Sequence, residues 1–261
     1  MTPSAASFRK VVALCYDGGQ WQHVLSLFDE MNTMGIVPNV AMRNTLMSAY
    51  TKSRRWRDAL LAFNEIADSG LTPDVVSFNI VLTVCDQNGQ WQHAVALLKR
   101  MQVEGAMVDA DSFGIAISAC NRSGQWQLAL SLLDNLQARG MTPNFIAYAA
   151  GILACNRGRK YNRLLSLFDD MQSASMTPDT ICFNQAIYAC QNRAKWERAV
   201  SLLEEMRIAG LTRSMQSFNP AIYACRNCGK WELSLTVLHQ MRSARQVPDT
   251  TSYNGALLAC E

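Results

Sequence analysis

The chain has 261 residues, 49% of them apolar and 17% charged, with a formal net charge of +3. That balance excludes a disordered chain, and no stretch approaches the roughly 20 consecutive apolar residues of a membrane span. So small a positive excess leans towards anionic partners without deciding a function. One register organises the sequence. All six tryptophans (Trp21, Trp56, Trp91, Trp126, Trp196 and Trp231) recur at 35 residues or a multiple of it, and Tyr161 fills the gap. Cys15, Cys85, Cys120, Cys155, Cys190, Cys225 and Cys260 keep the same spacing, with Tyr50 as the substitute, and so do Pro38, Pro73, Pro143, Pro178 and Pro248. A stacked array explains such a frame; a single compact core does not.

In chain order, Met1-Thr2-Pro3-Ser4 matches the repeat ends Met141-Thr142-Pro143-Asn144 and Met176-Thr177-Pro178-Asp179, so 1–4 is expected to be the tail of a preceding repeat. It has neither the apolar stretch of a secretory signal nor the arginine-rich amphipathic form of a transit peptide. Seven units follow at 5–39, 40–74, 75–109, 110–144, 145–179, 180–214 and 215–249, without insertion or deletion. The remainder, 250–261, is expected to be the first helix of a partial repeat, in a piece of a longer protein whose targeting segment and any catalytic domain lie elsewhere.

Each unit predicts two helices. In 75–109 the first places Phe78, Val81, Leu82 and Cys85 on one face, and the second places Trp91, Ala94, Val95, Leu98 and Met101 on another. Ser77, Ser112, Ser217 and Ser252 stand just before the first aromatic, where a side-chain oxygen can cap a helix start. Gly19, Gly89, Gly124 and Gly229 separate the two helices; Gly35, Gly70, Gly105, Gly140 and Gly210 end the second, with proline shortly after. Nothing alternates with period two. The expected fold is an all-α solenoid of helical hairpins, one continuous array.

Seven of the nine cysteines fall one per repeat on the apolar face of first helices, where cysteine acts as a small apolar residue. Their regular separation suits a reducing compartment. Cys225 and Cys228 form one CxxC pair, with no second pair or suitably spaced histidine to complete a metal site. His23, His93 and His239 lie on second helices as surface or packing residues, and no phosphate loop, serine elbow or carboxylate pair stands out. Neither a cofactor, a metal, a small-molecule substrate nor catalysis is expected.

A 35-residue hairpin that ends Gly70-Leu71-Thr72-Pro73-Asp74 and restarts Val75-Val76-Ser77-Phe78-Asn79 resembles the pentatricopeptide repeat family, in a P-type array covering essentially the whole chain. The resemblance implies a right-handed superhelix that binds single-stranded RNA, one base per repeat, as a monomer. It also implies an organellar role in RNA processing, editing, stability or translation. In the family, positions 5 and 35 choose the base and position 2 packs on its faces. The base-reading pairs here are then Asn44 with Asp74, Asn79 with Asp109, Asn184 with Ser214, and Asn219 with Asp249. A carboxamide offers both donor and acceptor to a pyrimidine edge, and a neighbouring carboxylate orients it. Asn with Asp favours uracil and Asn with Ser cytosine, which implies a pyrimidine-rich target read 5′-x-U-U-x-x-C-U-3′. Arg9, Gly114 and Ala149 depart from the code. Base-packing residues are Val76, Ile146 and Ile181, with Ala41 acceptable and Asp111 and Gln216 poor.

Lys52, Arg122 and Arg157, at position 13, resemble the basic residues that touch the RNA backbone. Acidic residues gather instead in second helices, at Asp29, Glu30, Asp169, Asp170, Glu204 and Glu205. A sequence pI of about 8.4 implies modest, salt-sensitive affinity. Two alternatives remain at this level. Position 35 is rich in residues that favour turns and helix starts, so capping alone accounts for it. An array of this architecture also serves as a tetratricopeptide-like scaffold for a protein partner. The tryptophans are expected to pack between repeats rather than stack on bases.

Overall fold

The computed structural model describes residues 5–259; the expected repeat tail at 1–4 and Cys260 lie outside them. Fifteen α-helices make up the regular structure of the described residues, which contain no strand. The first helices of the hairpins are α1 (Ala5–Asp17), α3 (Val40–Lys52), α5 (Val75–Gln87), α7 (Ala110–Arg122), α9 (Phe145–Arg157), α11 (Thr180–Asn192) and α13 (Met215–Arg226). Their partners are α2 (Trp21–Thr33), α4 (Trp56–Asp68), α6 (Trp91–Val103), α8 (Trp126–Ala138), α10 (Tyr161–Ser173), α12 (Trp196–Ile208) and α14 (Trp231–Ser243), followed by α15 (Thr250–Leu257). Every second helix thus starts on the aromatic column that defined the register.

Helix starts correct one expectation. The caps are the position-35 residues, not the serines. Asp74, Asp109, Asp179 and Asp249 sit in extended backbone and accept from the N–H three residues on; Asn39 and Asn144 do the same. Ser214 caps through Gln216 N at 3.2 Å. Ser77, Ser217 and Ser252 are the third residue inside their helices and complete capping boxes by accepting from the cap's own N–H. The aromatic periodicity marks the buried stripe, which begins one turn after the hydrogen-bonded start.

The turns behave as expected. Gly89 and Gly70 take φ of +67° and +71°, and N–H groups just beyond them bond back to the preceding helix, Gln90 to Cys85 O at 2.8 Å and Leu71 to Ile66 O at 3.1 Å. Three hairpins make the same inter-helix turn without glycine, placing Arg54, Arg159 and Ala194 at φ of +59°, +53° and +52°. A β-carbon in that conformation costs about 1–2 kcal/mol.

The helices form two compact units, divided within α8: residues up to Ser123 with Asn135–Thr142, and Gly124–Asp134 with the residues from Pro143 onward. In the first unit α1, α3, α5 and α7 touch in succession, and α2, α4 and α6 each also touch the next first helix. In the second, α9, α11, α13 and α15 repeat the arrangement with α10, α12 and α14. Cores form at these junctions. Phe63 of one hairpin meets Phe78 of the next edge-on at 5.1 Å, and Phe168 meets Phe183 in the same geometry at 5.1 Å. Met31, Ile66, Met101, Met171, Met206 and Met241 hold one fully buried column on the second helices. Alanines at Ala49, Ala119, Ala154, Ala189 and Ala224, all fully buried, let successive first helices approach closely. The trailing cysteines fit the expectation except Cys15, which is half-buried.

One repeat breaks the core pattern. Where others bury Phe78, Phe113, Phe183 or Phe218, the second repeat buries Arg43. Its guanidinium reaches Glu65 at 3.3 Å and Ser69 Oγ at 2.8 Å, while the buried Nε has no partner. Glu65 is largely exposed, so the pair recovers little of the desolvation cost. Arg43→Phe is therefore expected to stabilise the chain by about 1–3 kcal/mol, read as a higher urea midpoint; a lower midpoint would contradict this account of the site. Ala194→Gly is expected to add about 1 kcal/mol by relieving the left-handed β-carbon, read in the same titration.

Candidate nucleic-acid interface

On a helix, residues three apart share a face, so each first helix presents its positions 2 and 5 together. The structure leaves the position-2 residues in the open: Val76 is 56%, Ile146 44% and Ile181 54% exposed. Apolar side chains of this size, exposed at the same position of three hairpins, offer contact to the face of an aromatic ring. Ala41, Asp111 and Gln216 are exposed at the same place.

Position 5 is more recessed than the sequence suggests. Asn44 and Asn184 are buried at 7% and 8% exposure, Asn79 and Asn219 are half-buried, and Asn254 is exposed. Each of the first four sits at the seam between its own first helix and the next. The Asn44 amide donates to Asp74 Oδ1 at 3.0 Å, and its carbonyl accepts from the Ser77 hydroxyl of the next repeat at 2.7 Å. Ser112 donates to Asn79, Ser217 to Asn184 and Ser252 to Asn219, again at 2.7 Å each. Asn219 reaches Asp249 Oδ1 at 3.4 Å. Positions 5 and 35, 30 residues apart in sequence, are therefore brought together, and capping and contact with the asparagine are two uses of one side chain.

Burial alone would raise the Asp74 carboxyl, but the Ser77 N–H and hydroxyl and the Asn44 amide together pull it below its ordinary value. Asp249 is lowered chiefly by the Ser252 hydroxyl, then by the Ser252 N–H. Both carboxylates are thus held ionised beside the asparagine.

Lys52, Arg122 and Arg157 each end a first helix with an exposed side chain, as expected. Arg122 is engaged by Asp86 at 3.4 Å, a carboxylate that also accepts from Ser118 at 3.0 Å, whereas Lys52 flanks a groove lined by Tyr16, Ser48, Ile80, Thr83 and Gln87. Charge is less cleanly sorted than the sequence implied. Arginines on the second helices pair with their acids: Arg163 bonds Asp134, and Arg198 bonds Asp169 at 2.7 Å and Glu205 at 3.2 Å.

Two tryptophans contact the next repeat: the Trp126 ring lies so close to Gly158 that a β-carbon there would come within 2.6 Å of it, and Lys230 lies over the Trp196 ring; Trp231 is exposed. Burial pushes the Cys85, Cys120, Cys155, Cys190 and Cys225 thiols up to about 11, which makes them inert at neutral pH. Among the described residues no group of three or more histidine, cysteine or acidic side chains is placed to hold a metal ion. Sequence reasoning took the position-3 serines for caps and missed their bond to the preceding repeat's asparagine; the only signal was that the two columns recur.

The sequence matches three repeat models. The one described as PPR repeat family covers residues 38–86 and 73–122, that of the pentacotripeptide-repeat region of PRORP residues 107–260, and that of the PPR repeat residues 7–36. Among curated protein sequences none matches. Among solved structures, the pentatricopeptide repeat protein PPR10 from maize is similar at 28% identity and a TM-score of 0.65, over 98% of this chain and 37% of that one. This chain thus spans little more than a third of the maize protein. The same protein in complex with an 18-nt psaJ RNA element matches at 27% and 0.63, over 98% and 36% of the two chains. The PPR domain of Arabidopsis thaliana protein-only RNase P 1 in complex with tRNA matches at 14% and 0.61, over 69% and 95%. A tetratricopeptide repeat protein from Parabacteroides merdae matches at 13% and 0.59, over 98% and 99%. These last two likenesses are of fold alone.

The carboxylate at position 35 sets an acid limit. Because Asp74 is lowered in the folded state, its contribution is complete above the ordinary value of 3.8 and is lost as pH falls through the folded value. Asp74→Ala is expected to cost about 1 kcal/mol at pH 7 through the lost cap, and the gap to the parent should narrow below pH 3.8. Urea unfolding at the two pH values checks this; a gap unchanged by acid would contradict it.

Proposed function

The chain belongs to the pentatricopeptide repeat family, and from that premise we propose that it is an RNA-binding module that reads single-stranded, pyrimidine-rich RNA at one base per repeat. The observation that carries the proposal is the seam of each reading repeat. An exposed residue at position 2, apolar in three of the four (Ala41, Val76 and Ile181), and an amide at position 5 lie one turn apart, and an ionised or hydroxyl side chain at position 35 is bonded to, or set beside, that amide. In the first unit Asn44 with Asp74 and Asn79 with Asp109 take uracil. In the second Asn184 with Ser214 takes cytosine and Asn219 with Asp249 uracil. Base-packing falls to Val76, Ile146 and Ile181, and phosphate contact to Lys52, Arg122 and Arg157. Lys52 carries more of that contact than Arg122, which must first leave Asp86. RNA bound to maize PPR10 supports the same use of the fold here. Residence in a chloroplast or mitochondrion, with a role in processing or protecting transcripts there, is part of the proposal and rests on family membership.

The test separates base reading from backbone contact. Asn79→Ala should weaken binding mainly for strands with uracil at the base facing that repeat, by about tenfold, a loss of about 1–2 kcal/mol. Lys52→Ala should weaken every sequence alike and flatten the dependence of log K on log salt by about one unit. Anisotropy titrations of labelled strands at two salt concentrations measure both. Equal losses on all sequences for both variants would refute base reading, and a chain that binds peptide but no RNA would be a scaffold.

A further inference from the structure

We propose that the buried serines Ser77, Ser112, Ser217 and Ser252 are positioning residues that determine base specificity, each acting on the asparagine of the repeat before it. The inference rests on the RNA-reading proposal and adds a third residue to each reading pair.

The four serines are fully buried, so none can touch a ligand. Each hydroxyl lies 2.7 Å from the carbonyl oxygen of the preceding repeat's asparagine; at Ser77, Ser112 and Ser252 its single proton is shared with the position-35 carboxylate, 2.7–2.8 Å away. A carboxamide has two faces of opposite character, one accepting and one donating. Left alone at a half-open seam it can turn either way. With its oxygen bonded inward, only the NH2 is left to face outward. One of its hydrogens is held by the position-35 carboxylate at Asn44 and Asn219. The other is offered to an acceptor on the base, as a pyrimidine carbonyl provides.

Helix capping does not account for these serines. Asn39, Asn144 and Asp179 cap their helices at 2.8–2.9 Å onto Met42, Ala147 and Cys182, with no serine at position 3. Those three junctions are the ones whose preceding repeat carries Arg9, Gly114 or Ala149 in place of asparagine. Wherever position 5 is asparagine and a next repeat start follows, position 3 of that repeat is serine; wherever it is not, serine is absent. The hydroxyl follows the amide, not the cap. Repeats with Arg9, Gly114 and Ala149 therefore lack both the amide and its hydroxyl and do not discriminate between bases, whatever packing Ile146 supplies.

Binding of strands that differ only at the base facing Asn44 tests this. Ser77→Ala should reduce the preference for uracil over the other bases there about tenfold, and leave discrimination at the base facing Asn79 unchanged. Ser77→Thr, which keeps the hydroxyl, should restore it. In the second unit, Ala149→Asn with Cys182→Ser should create a new uracil preference beside Asp179, and Ala149→Asn alone a weaker one. A Ser77→Ala protein that melts earlier but discriminates as before would overturn the proposal, because the serine would then serve the helix start only. If the parent chain binds no single-stranded RNA, the functional reading falls, and the Asn44 side-chain NH2 signals in the free protein decide the positioning. Slow solvent exchange in the parent that speeds in Ser77→Ala supports the clamp; equal exchange overturns it.

Discussion

The rest of the structure depends on the fact that no hairpin buries its apolar stripe by itself. Each closes its core only against the hairpin that follows, as Phe63 does on Phe78 and Phe168 on Phe183. A fully buried phenylalanine contributes about 2–3 kcal/mol, and the contact recurs at one spacing. An inserted residue would therefore shift every later stripe out of contact. Strict periodicity is the result of this packing, and it places chemically equivalent side chains at equivalent points along each unit.

At each seam that holds an asparagine the same packing forces polar groups together. A first-helix start needs an acceptor for its free N–H groups, and the junction it abuts contains the amide of the preceding helix. One carboxylate serves both at Asp74 and Asp249. The same bonds hold the Asp74 carboxyl below its ordinary value against the opposing effect of burial. The polar groups of the seam are thus fixed by the same bonds that hold the helix starts.

The frame, the hairpins and the left-handed glycines were legible because periodicity and backbone chemistry are local signals. Helix starts were legible to within a turn, since the aromatic stripe marks burial and not the first hydrogen bond. The link from Asn44 to Ser77 spans 33 residues and shows in the sequence only as two recurrent columns, amide and serine, whose contact depends on how hairpins stack. The burial of Asn44 and the pairing of Arg122 with Asp86 were hidden for the same reason. Arg43 stood in plain view as a break in the aromatic column, but only packing shows that it lies in the core.

Because the amide and its serine belong to different 35-residue units, the natural period is the wrong place to cut the protein into exchangeable parts. A cassette spanning 40–74 separates Asn44 from Ser77 and hands its orientation to whatever residue begins the next insert. A cassette spanning 43–77 has the same length and travels with amide, carboxylate and hydroxyl intact. On the proposed reading, modular recombination of such arrays conserves selectivity only when breakpoints fall between the third and fourth residues of the first helix.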